Sequence, residues 1–259
     1  MNRNLWAAAA VLLFAGMSPA QQIPAGTILP VQLENTLKAG KSQPGEHILA
    51  KLCQDVSLGN GAKLARGARV NGRVVESRAA SGGSPARLVV AFDSVRSQGR
   101  DIAITTSLRA LASMSEVFDA QLPTNLIDDY GSTIHDWNTV QVGGQAVYRG
   151  DGKVMSGPDV VGRASSVGEV VAKPIASPRS PCLRDAVTDR EQSFWVFSTD
   201  ACGLYGFQGL KLAHAGRTQP QGQIVLEAPG NFVVRGGSGW LLTVISGQDG
   251  LGQKAHSQS

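Results

Sequence analysis

Short stretches of alternating apolar and polar residues, separated by turn residues, run through the chain from residue 28 to residue 108. Successive side chains of a β-strand point to opposite faces, so a period of two is typical of strands that bury one face. The predicted strands lie at residues 28–37, 47–56, 63–65, 68–75, 87–95 and 101–108. Short strands at this spacing predict a mainly β fold that starts with a small antiparallel barrel or sandwich.

Two features inside this pattern carry more specific predictions. The dipeptide Asn60-Gly61 is typical of a type I′ hairpin turn, because both central residues of that turn need a positive φ angle. Gly72 lies within the predicted strand at 68–75. A glycine in that position indicates a β-bulge or the close approach of another backbone.

The second half of the chain is interrupted more often by Gly, Ser and Pro, and its pattern is weaker. Residues 109–122 fit either one face of a helix or a prolonged strand, and we favour a strand followed by a loop because Pro123 ends the element. Further predictions are a hairpin at 137–148, a buried strand at 194–197, and strands at 210–215, 224–226, 232–235 and 240–245, the last two joined by a hairpin turn at 236–239. Together they predict a second β-rich, loop-rich region.

The composition agrees with a folded, turn-rich protein. Apolar residues make up 42% of the chain and charged residues 17%, which is enough apolar material for a packed core. The formal net charge is only +4, and the densest basic group comprises Lys63, Arg66, Arg69 and Arg73. Basic residues at such spacing are typical of a solvated strand face. We therefore expect no nucleic-acid partner.

The N-terminal residues predict export from the cytoplasm. Arg3 precedes an apolar run at 7–15, and small residues follow at Ser18 and Ala20. This order is typical of a secretory signal peptide at residues 1–20, and the run is too short to span a bilayer as a stop-transfer helix. We expect a mature chain that starts near Gln21, has no integral membrane segment, and is periplasmic or extracellular.

Export changes the interpretation of the three cysteines. Cys182 and Cys202 flank a strand-like run, and an oxidising compartment permits a disulfide between them. A bond that closes a loop of this size stabilises a fold by about 3 kcal/mol in the chain-entropy model. Cys53 lies in an alternating run and is predicted to be a buried free thiol. The cysteines lack the paired spacing of a zinc site, so we expect no metal and no cofactor.

Five short motifs in the first half carry a family resemblance by their order. They are Pro24-Ala25-Gly26-Thr27, Pro44-Gly45, the run from Ala65 to Gly72, Arg87-Leu88-Val89-Val90, and Gly99-Arg100-Asp101-Ile102. The set resembles the C-terminal barrel of the TrbI-like channel proteins of conjugation and type IV secretion, over residues 23–111. The resemblance implies a β-barrel in the cell envelope that acts as a structural part of a channel, without catalysis. That family's two-helix insertion has no clear counterpart in this sequence.

The predicted organisation therefore has four parts. A signal peptide at 1–20 precedes a TrbI-like β-barrel domain at 21–113. A second β-rich region with one disulfide follows at 114–246, and a disordered polar tail occupies 247–259. The remainder beyond the barrel resembles uncharacterised exported bacterial proteins.

Three functional hypotheses follow from these patterns. The first is a structural or interaction protein of the cell envelope, related to secretion or conjugation complexes, with a protein partner and no catalytic residues. The second is a carbohydrate- or polymer-binding module that uses Trp137, Trp195 and Trp240. The third is a secreted hydrolase built on an acidic and histidine-containing group, namely Asp128, Asp129, His135 and Asp136. The chain contains no nucleophile-elbow motif (G-x-S-x-G) and no His-Glu-x-x-His motif, so the first hypothesis is preferred.

Overall fold

The computed structural model describes residues 22–59, 61–124, 137–150, 152–164, 169–175, 190–213 and 222–248. In the first half the elements are β1 Ile28–Leu33, β2 Leu37–Lys38, β3 His47–Leu52, β4 Val56–Gly59, β5 Ala62–Leu64, β6 Arg69–Arg78, β7 Ala86–Ser97, β8 Arg100–Ala112 and α1 Met114–Asp119. In the second half they are β9 Asn138–Val140, β10 Ala146–Tyr148, β11 Lys153–Ser156, β12 Asp159–Ala164, β13 Val170–Ala172, β14 Gln192–Ser193, β15 Gly203–Tyr205, β16 Lys211–Leu212, β17 Ile224–Ala228, β18 Val233–Val234 and β19 Gly239–Gln248.

Six antiparallel strands form a closed barrel, which confirms the predicted fold class. Around the barrel the order is β1, β3, β6, β7, β8 and β19, and β19 pairs with β1 to complete the circle. The alternation read from the sequence matches the burial of these strands. In β3, for example, Ile48, Ala50 and Leu52 are buried while their neighbours are exposed.

The strand that closes the barrel comes from the far end of the chain. Trp240 of β19 lies opposite Val31 of β1 on one side and opposite Leu111 of β8 on the other. The barrel is therefore not completed within residues 21–113. Inside it, the Trp240 indole is fully buried and meets the Phe92 ring edge to face, with ring centroids 5.5 Å apart.

The predicted hairpin between residues 232–235 and 240–245 is wrong. β18 pairs with β2, whereas β19 pairs with β1 and β8. The glycine-rich connection is held instead by the end of β1, where Gly237 N donates to Leu33 O (2.7 Å) and Leu33 N donates to Ser238 O (2.9 Å). These bonds turn the chain away from β18 and direct β19 into the gap beside β1.

Both alternatives predicted for Gly72, a β-bulge and the close approach of another backbone, are confirmed. The register between β6 and β7 shifts at Asn71–Gly72, as at a β-bulge. A Cβ atom at Gly72 would lie 2.4 Å from the carbonyl oxygen of Ala91. The bend in β6 therefore depends on the missing side chain.

A second sheet covers part of the barrel's outer surface. Its six strands run in the order β14, β13, β12, β11, β10 and β9, all antiparallel. The buried face of this sheet shares one apolar cluster with side chains from β1, β8 and β19, namely Ile28, Ala110, Ala112 and Leu241. These three barrel strands are thus buried on both faces, which explains the unbroken burial along the end of β8.

A segment of the second half also fills an opening in the barrel wall. β7 pairs with β8 only near their connecting turn, through residues 94–97 and 100–103. Further along, β17 pairs with the start of β7 and β15 pairs in parallel with the end of β8. Leu204 and Phe207, from this inserted segment, pack against the barrel core. Strands from both halves of the chain therefore form this part of the barrel wall.

Two segments differ from their prediction. Residues 109–122 contain the end of β8, but the predicted loop after it is wrong, because the short helix α1 follows and starts where the Ser113 side chain accepts a hydrogen bond from Glu116 N. Residues 194–197 are buried as predicted, but the predicted strand is wrong. They form a turn in which Trp195 has a φ angle of +52°. This turn brings the indole under the second sheet.

Gln54 connects the barrel with the second sheet. Its side chain is fully buried, Oε1 accepts from Trp195 N (2.6 Å) and Val170 N (3.2 Å), and Nε2 donates to Val170 O (2.9 Å). A second bond between the two parts joins Ile28 N to Gln192 Oε1 (3.1 Å). A buried amide with all of these partners fixes the position of the second sheet on the barrel.

Substitution of Gly72 should test the close contact in β6. In the Gly72→Ala variant the added Cβ meets a backbone carbonyl, so we expect a loss of about 1–3 kcal/mol in the free energy of unfolding. The matched control is Gly230→Ala, because a Cβ there has no neighbour within 4 Å. Urea denaturation of both variants measures the difference, and equal stabilities would refute the proposed constraint.

Substitution of Gln54 should loosen the second sheet. In Gln54→Leu we expect the free energy of unfolding to fall by about 2–4 kcal/mol, since each buried donor left without its acceptor costs about 1–3 kcal/mol. Gln43→Leu is the control, because the Gln43 side chain is exposed. Denaturation followed by tryptophan fluorescence checks this, and a Gln54 variant as stable as the control would contradict it.

Candidate binding surface

An exposed apolar surface surrounds helix α1, and we define it by Met114, Phe118 and Val233. Met114 and Phe118 are four residues apart, so they lie on the same side of the helix. They are 48% and 60% exposed, and Val233 is 40% exposed. On the opposite side of α1, Val117 and Ala120 are buried in the cluster under the second sheet. This short helix is therefore apolar both towards the core and towards solvent.

A shallow depression of about 240 Å³ lies between Met114 and Val233 of the α1 surface. Met114 and Val233 form part of its wall, together with Phe207 and Arg235. Phe207 also packs against the barrel core, so the floor of the depression is part of the fold. Arg235 adds a cationic group at its margin.

Two glycines allow the surrounding chain to approach α1 closely. A Cβ at Gly206 would lie 2.3 Å from Ser113 Oγ, and one at Gly237 would lie 2.9 Å from Met114 Cγ. Both residues have positive φ angles, +72° and +90°. Any other residue at these positions would adopt a strained backbone conformation and would press on the side chains of Ser113 or Met114.

A larger groove of about 680 Å³ lies beside the loop that connects β6 and β7. Its lining includes Lys211 and Glu227. Arg87 makes ion pairs with both Glu76 and Glu227, which occupies those carboxylates. Within the residues that the structure describes, no group of three His, Cys, Asp or Glu side chains is placed to hold a metal ion.

The tryptophans behind the carbohydrate-binding hypothesis are mostly inside the protein. Trp240 is fully buried in the barrel, and Trp195 is only 7% exposed under the second sheet. Neither ring presents a face on which a sugar could stack. Trp137 is half-buried at the edge of the second sheet.

Several residues singled out in the sequence lie outside the described residues. They are Asn60 of the predicted type I′ turn, the hydrolase candidates Asp128, Asp129, His135 and Asp136, as well as His214, Cys182, the signal peptide at 1–20, and 249–259 of the predicted tail. The hydrolase hypothesis and the Cys182–Cys202 disulfide therefore stay predictions. Residues 247–248, assigned to the tail from the sequence, belong to β19.

Two of the four clustered basic residues form exposed ion pairs with carboxylates. Lys63 pairs with Asp55 and Arg73 pairs with Asp93, each at 2.5 Å. Lys63 is the main cause that lowers the pKa of Asp55. Exposed pairs of this kind contribute little to stability, at most about 1 kcal/mol each.

Cys53 is a buried free thiol, as the sequence predicted. Its side chain is 7% exposed and belongs to the cluster between the barrel and the second sheet. Burial raises the pKa of the Cys53 thiol to about 12. The reactive thiolate is therefore scarce at neutral pH.

Comparison with known proteins adds no relative. No family model, no curated protein and no solved structure matches the chain. The TrbI-like resemblance therefore stays a prediction that rests on the five motifs. Among the described residues, no helix combines the length and the apolar composition that crossing a bilayer requires.

The amino-acid pattern contains a partial signal for the α1 surface. Met114, Val117 and Phe118 fit a helix face together, but the pattern alone does not tell which of them faces solvent. The contribution of Val233 depends on the pairing of β18 with β2, which places it beside α1. This site required the tertiary structure.

Thiol alkylation should distinguish the cysteines. We expect Cys53 to resist iodoacetamide at pH 8 in the folded protein, because burial suppresses both access and ionisation. In guanidinium chloride without reductant, mass spectrometry should find Cys53 as the single alkylated cysteine if the Cys182–Cys202 disulfide is present. Alkylation of all three cysteines under those conditions would exclude the disulfide, and fast labelling of the folded protein would contradict the buried thiol.

Proposed function

We propose that this protein is a non-catalytic scaffold of the cell envelope that binds another protein through the α1 surface. The observation that carries the proposal is the outward position of Met114 and Phe118, with about half or more of each side chain exposed. Contiguous exposed apolar side chains rimmed by polar groups are typical of protein interaction sites. Arg235 and the serines beside Met114 supply such a rim.

The shape of the site favours a protein over a small molecule. Ligand pockets usually enclose about 300–1,000 Å³, and the depression beside α1 is smaller and open to solvent. An aromatic side chain and a methionine are common anchors at protein interfaces, because they bury large apolar areas. A partner that inserts one side chain beside Val233 would cover Met114, and Phe118 lies one helical turn further along α1.

The support beneath α1 suits a docking platform. Val117 and Ala120 anchor the helix in the cluster that joins the second sheet to the barrel. Ser113 N donates to Tyr205 O (3.0 Å), which ties the start of α1 to the parallel strand β15. A partner would thus bind a preformed surface, with little ordering cost on this side.

The envelope location rests on the sequence. The predicted signal peptide supports export, and the TrbI-like resemblance supports a structural role in an envelope complex. The barrel fold is compatible with both. The partner is accordingly expected among exported or envelope-exposed proteins.

Site-specific photo-cross-linking tests the proposal. A photo-reactive phenylalanine analogue replaces Phe118 in the full-length protein, which is expressed in its native envelope and irradiated. We expect a discrete cross-linked product that contains one partner protein, identified by mass spectrometry. An untagged copy of the protein, co-expressed as a competitor, should reduce the amount of this product. An untagged copy with the Phe118→Ser substitution should not reduce it.

The same analogue at Val160 is the matched control, because Val160 is 58% exposed on the second sheet and distant in sequence from α1. We expect no discrete product from that position. Identical products from positions 118 and 160, or none from 118, would refute a specific role for the α1 surface. Unchanged melting temperatures of the variants would show that the effect is on binding.

A further inference from the structure

Met114 is an exposed methionine at the surface where a partner protein is proposed to bind. Its side chain is 48% exposed and forms part of the wall of the 240 Å³ depression beside α1. The sequence contains four methionines, two of which, Met1 and Met17, belong to the predicted signal peptide. The fourth, Met155, is half-buried in β11. Small solutes therefore reach Met114 more easily than Met155.

The sulfur atom of Met114 is covered on one side by the glycine-rich connection before β19. A Cβ atom placed on Gly237 would lie 2.9 Å from Met114 Cγ and 3.4 Å from Sδ, so the side chain rests against the Gly237 backbone. That backbone is itself fixed, because Gly237 N donates to Leu33 O (2.7 Å). The open side of the sulfur is therefore the side that borders the depression.

A thioether in this position is a substrate for oxidation by hydrogen peroxide. A sulfur lone pair attacks one peroxide oxygen, the S–O bond forms, and the O–O bond breaks. The proton on the transferred oxygen moves to the departing hydroxide, so the peroxide is reduced to water and the sulfur is oxidised by two electrons. The product, methionine sulfoxide, is polar, whereas methionine is apolar. Two thiols reverse the step in a reductase, as they become a disulfide and the sulfoxide oxygen leaves as water.

The free thiol of Cys53 is shielded from the same oxidant. Its side chain is 7% exposed in the cluster between the barrel and the second sheet. The reactive form of a cysteine is the thiolate, and burial keeps this form scarce at Cys53. Peroxide is therefore expected to modify Met114 before it modifies Cys53.

We propose that Met114 is a site of reversible oxidation to methionine sulfoxide by hydrogen peroxide, and that the oxidised protein releases the partner from the α1 surface. This inference rests on the proposed function, since it assigns a control to the same surface. The new oxygen enters the depression that a partner side chain would occupy, because Gly237 covers the opposite side of the sulfur.

The oxidation acts on binding and leaves the fold in place. The residues by which α1 is anchored in the core are Val117 and Ala120, on the other side of the helix from Met114. A partner that covers the sulfoxide must bury a polar oxygen in an apolar contact. We expect this to lower the affinity about 5- to 100-fold, the usual effect of burying a polar group that lacks a hydrogen-bond partner.

Peptide mass spectrometry of the purified full-length protein tests the modification. The folded protein is treated with hydrogen peroxide, the peroxide is removed with catalase, and the digest is analysed over time. We expect the sulfoxide to form faster at Met114 than at Met155, and at equal rates at both in guanidinium chloride. The two methionine sulfoxide reductases, one for each sulfoxide epimer, should remove it in the presence of dithiothreitol.

Photo-cross-linking from position 118 tests the effect on binding. The purified protein with the photo-reactive phenylalanine analogue is oxidised, freed of peroxide, mixed with a detergent extract of envelopes that lack this protein, and irradiated. Only the purified protein meets peroxide, so the partner stays unmodified. We expect the yield of the discrete product to fall at least about fivefold on oxidation and to recover after treatment with the reductases.

Met114→Leu is the decisive variant, because leucine keeps an apolar side chain of similar size and has no sulfur. We expect it to give the product equally well before and after peroxide treatment. Met155→Leu is the matched control and should lose the product on oxidation, as the wild type does. Equal melting temperatures of the oxidised and unoxidised wild type would show that the fold is retained.

Four outcomes would overturn the inference. Oxidation of Met155 ahead of Met114 would refute the modification site. A large fall in the melting temperature on oxidation would assign the lost product to unfolding. Equal yields from both forms, with Met114 fully converted, would refute the control of binding and leave the proposed function standing. Absence of the product from the unoxidised protein would instead refute the proposed function, and the control of binding with it.

Discussion

The structure depends on one pairing constraint, which is that β1 and β8 must both find a partner for their free edges. An unpaired edge exposes a row of backbone donors and acceptors and invites aggregation. β19 satisfies both edges at once, with Trp240 between Val31 and Leu111. Because β19 lies near the C-terminus, more than a hundred residues must be accommodated between β8 and β19 before the barrel can close. Long-range pairing of this kind is expected to make folding slow.

The intervening residues are used as a second layer. β1, β8 and β19 present apolar side chains outwards as well as inwards, and the second sheet buries the outward set. Gly239 permits this contact, since a Cβ there would lie 2.9 Å from Val117 Cγ2. Gln54 then fixes the layer through its bonds to Val170 and Trp195. The barrel and the second sheet are thus packed as one body, although the sequence divides naturally at residue 113.

This arrangement determines where binding can occur. The barrel interior is occupied by Trp240, Phe92 and aliphatic side chains. The α1 surface lies where the second half meets the barrel. At α1, the helix needs Val117 inside and leaves Met114 and Phe118 outside.

Local pattern by itself determined the fold class, most strands of the barrel, the bulge at Gly72, and the burial of Cys53 and Trp195. Each of these follows from side-chain alternation, turn chemistry or apolar character, which are properties of neighbouring residues. Only the tertiary structure decided the partners of β19, the turn at Trp195 and the outward face of α1. Alternation shows that a strand has a buried face, but it does not identify the strand beside it, because pairing depends on residues far away in the sequence.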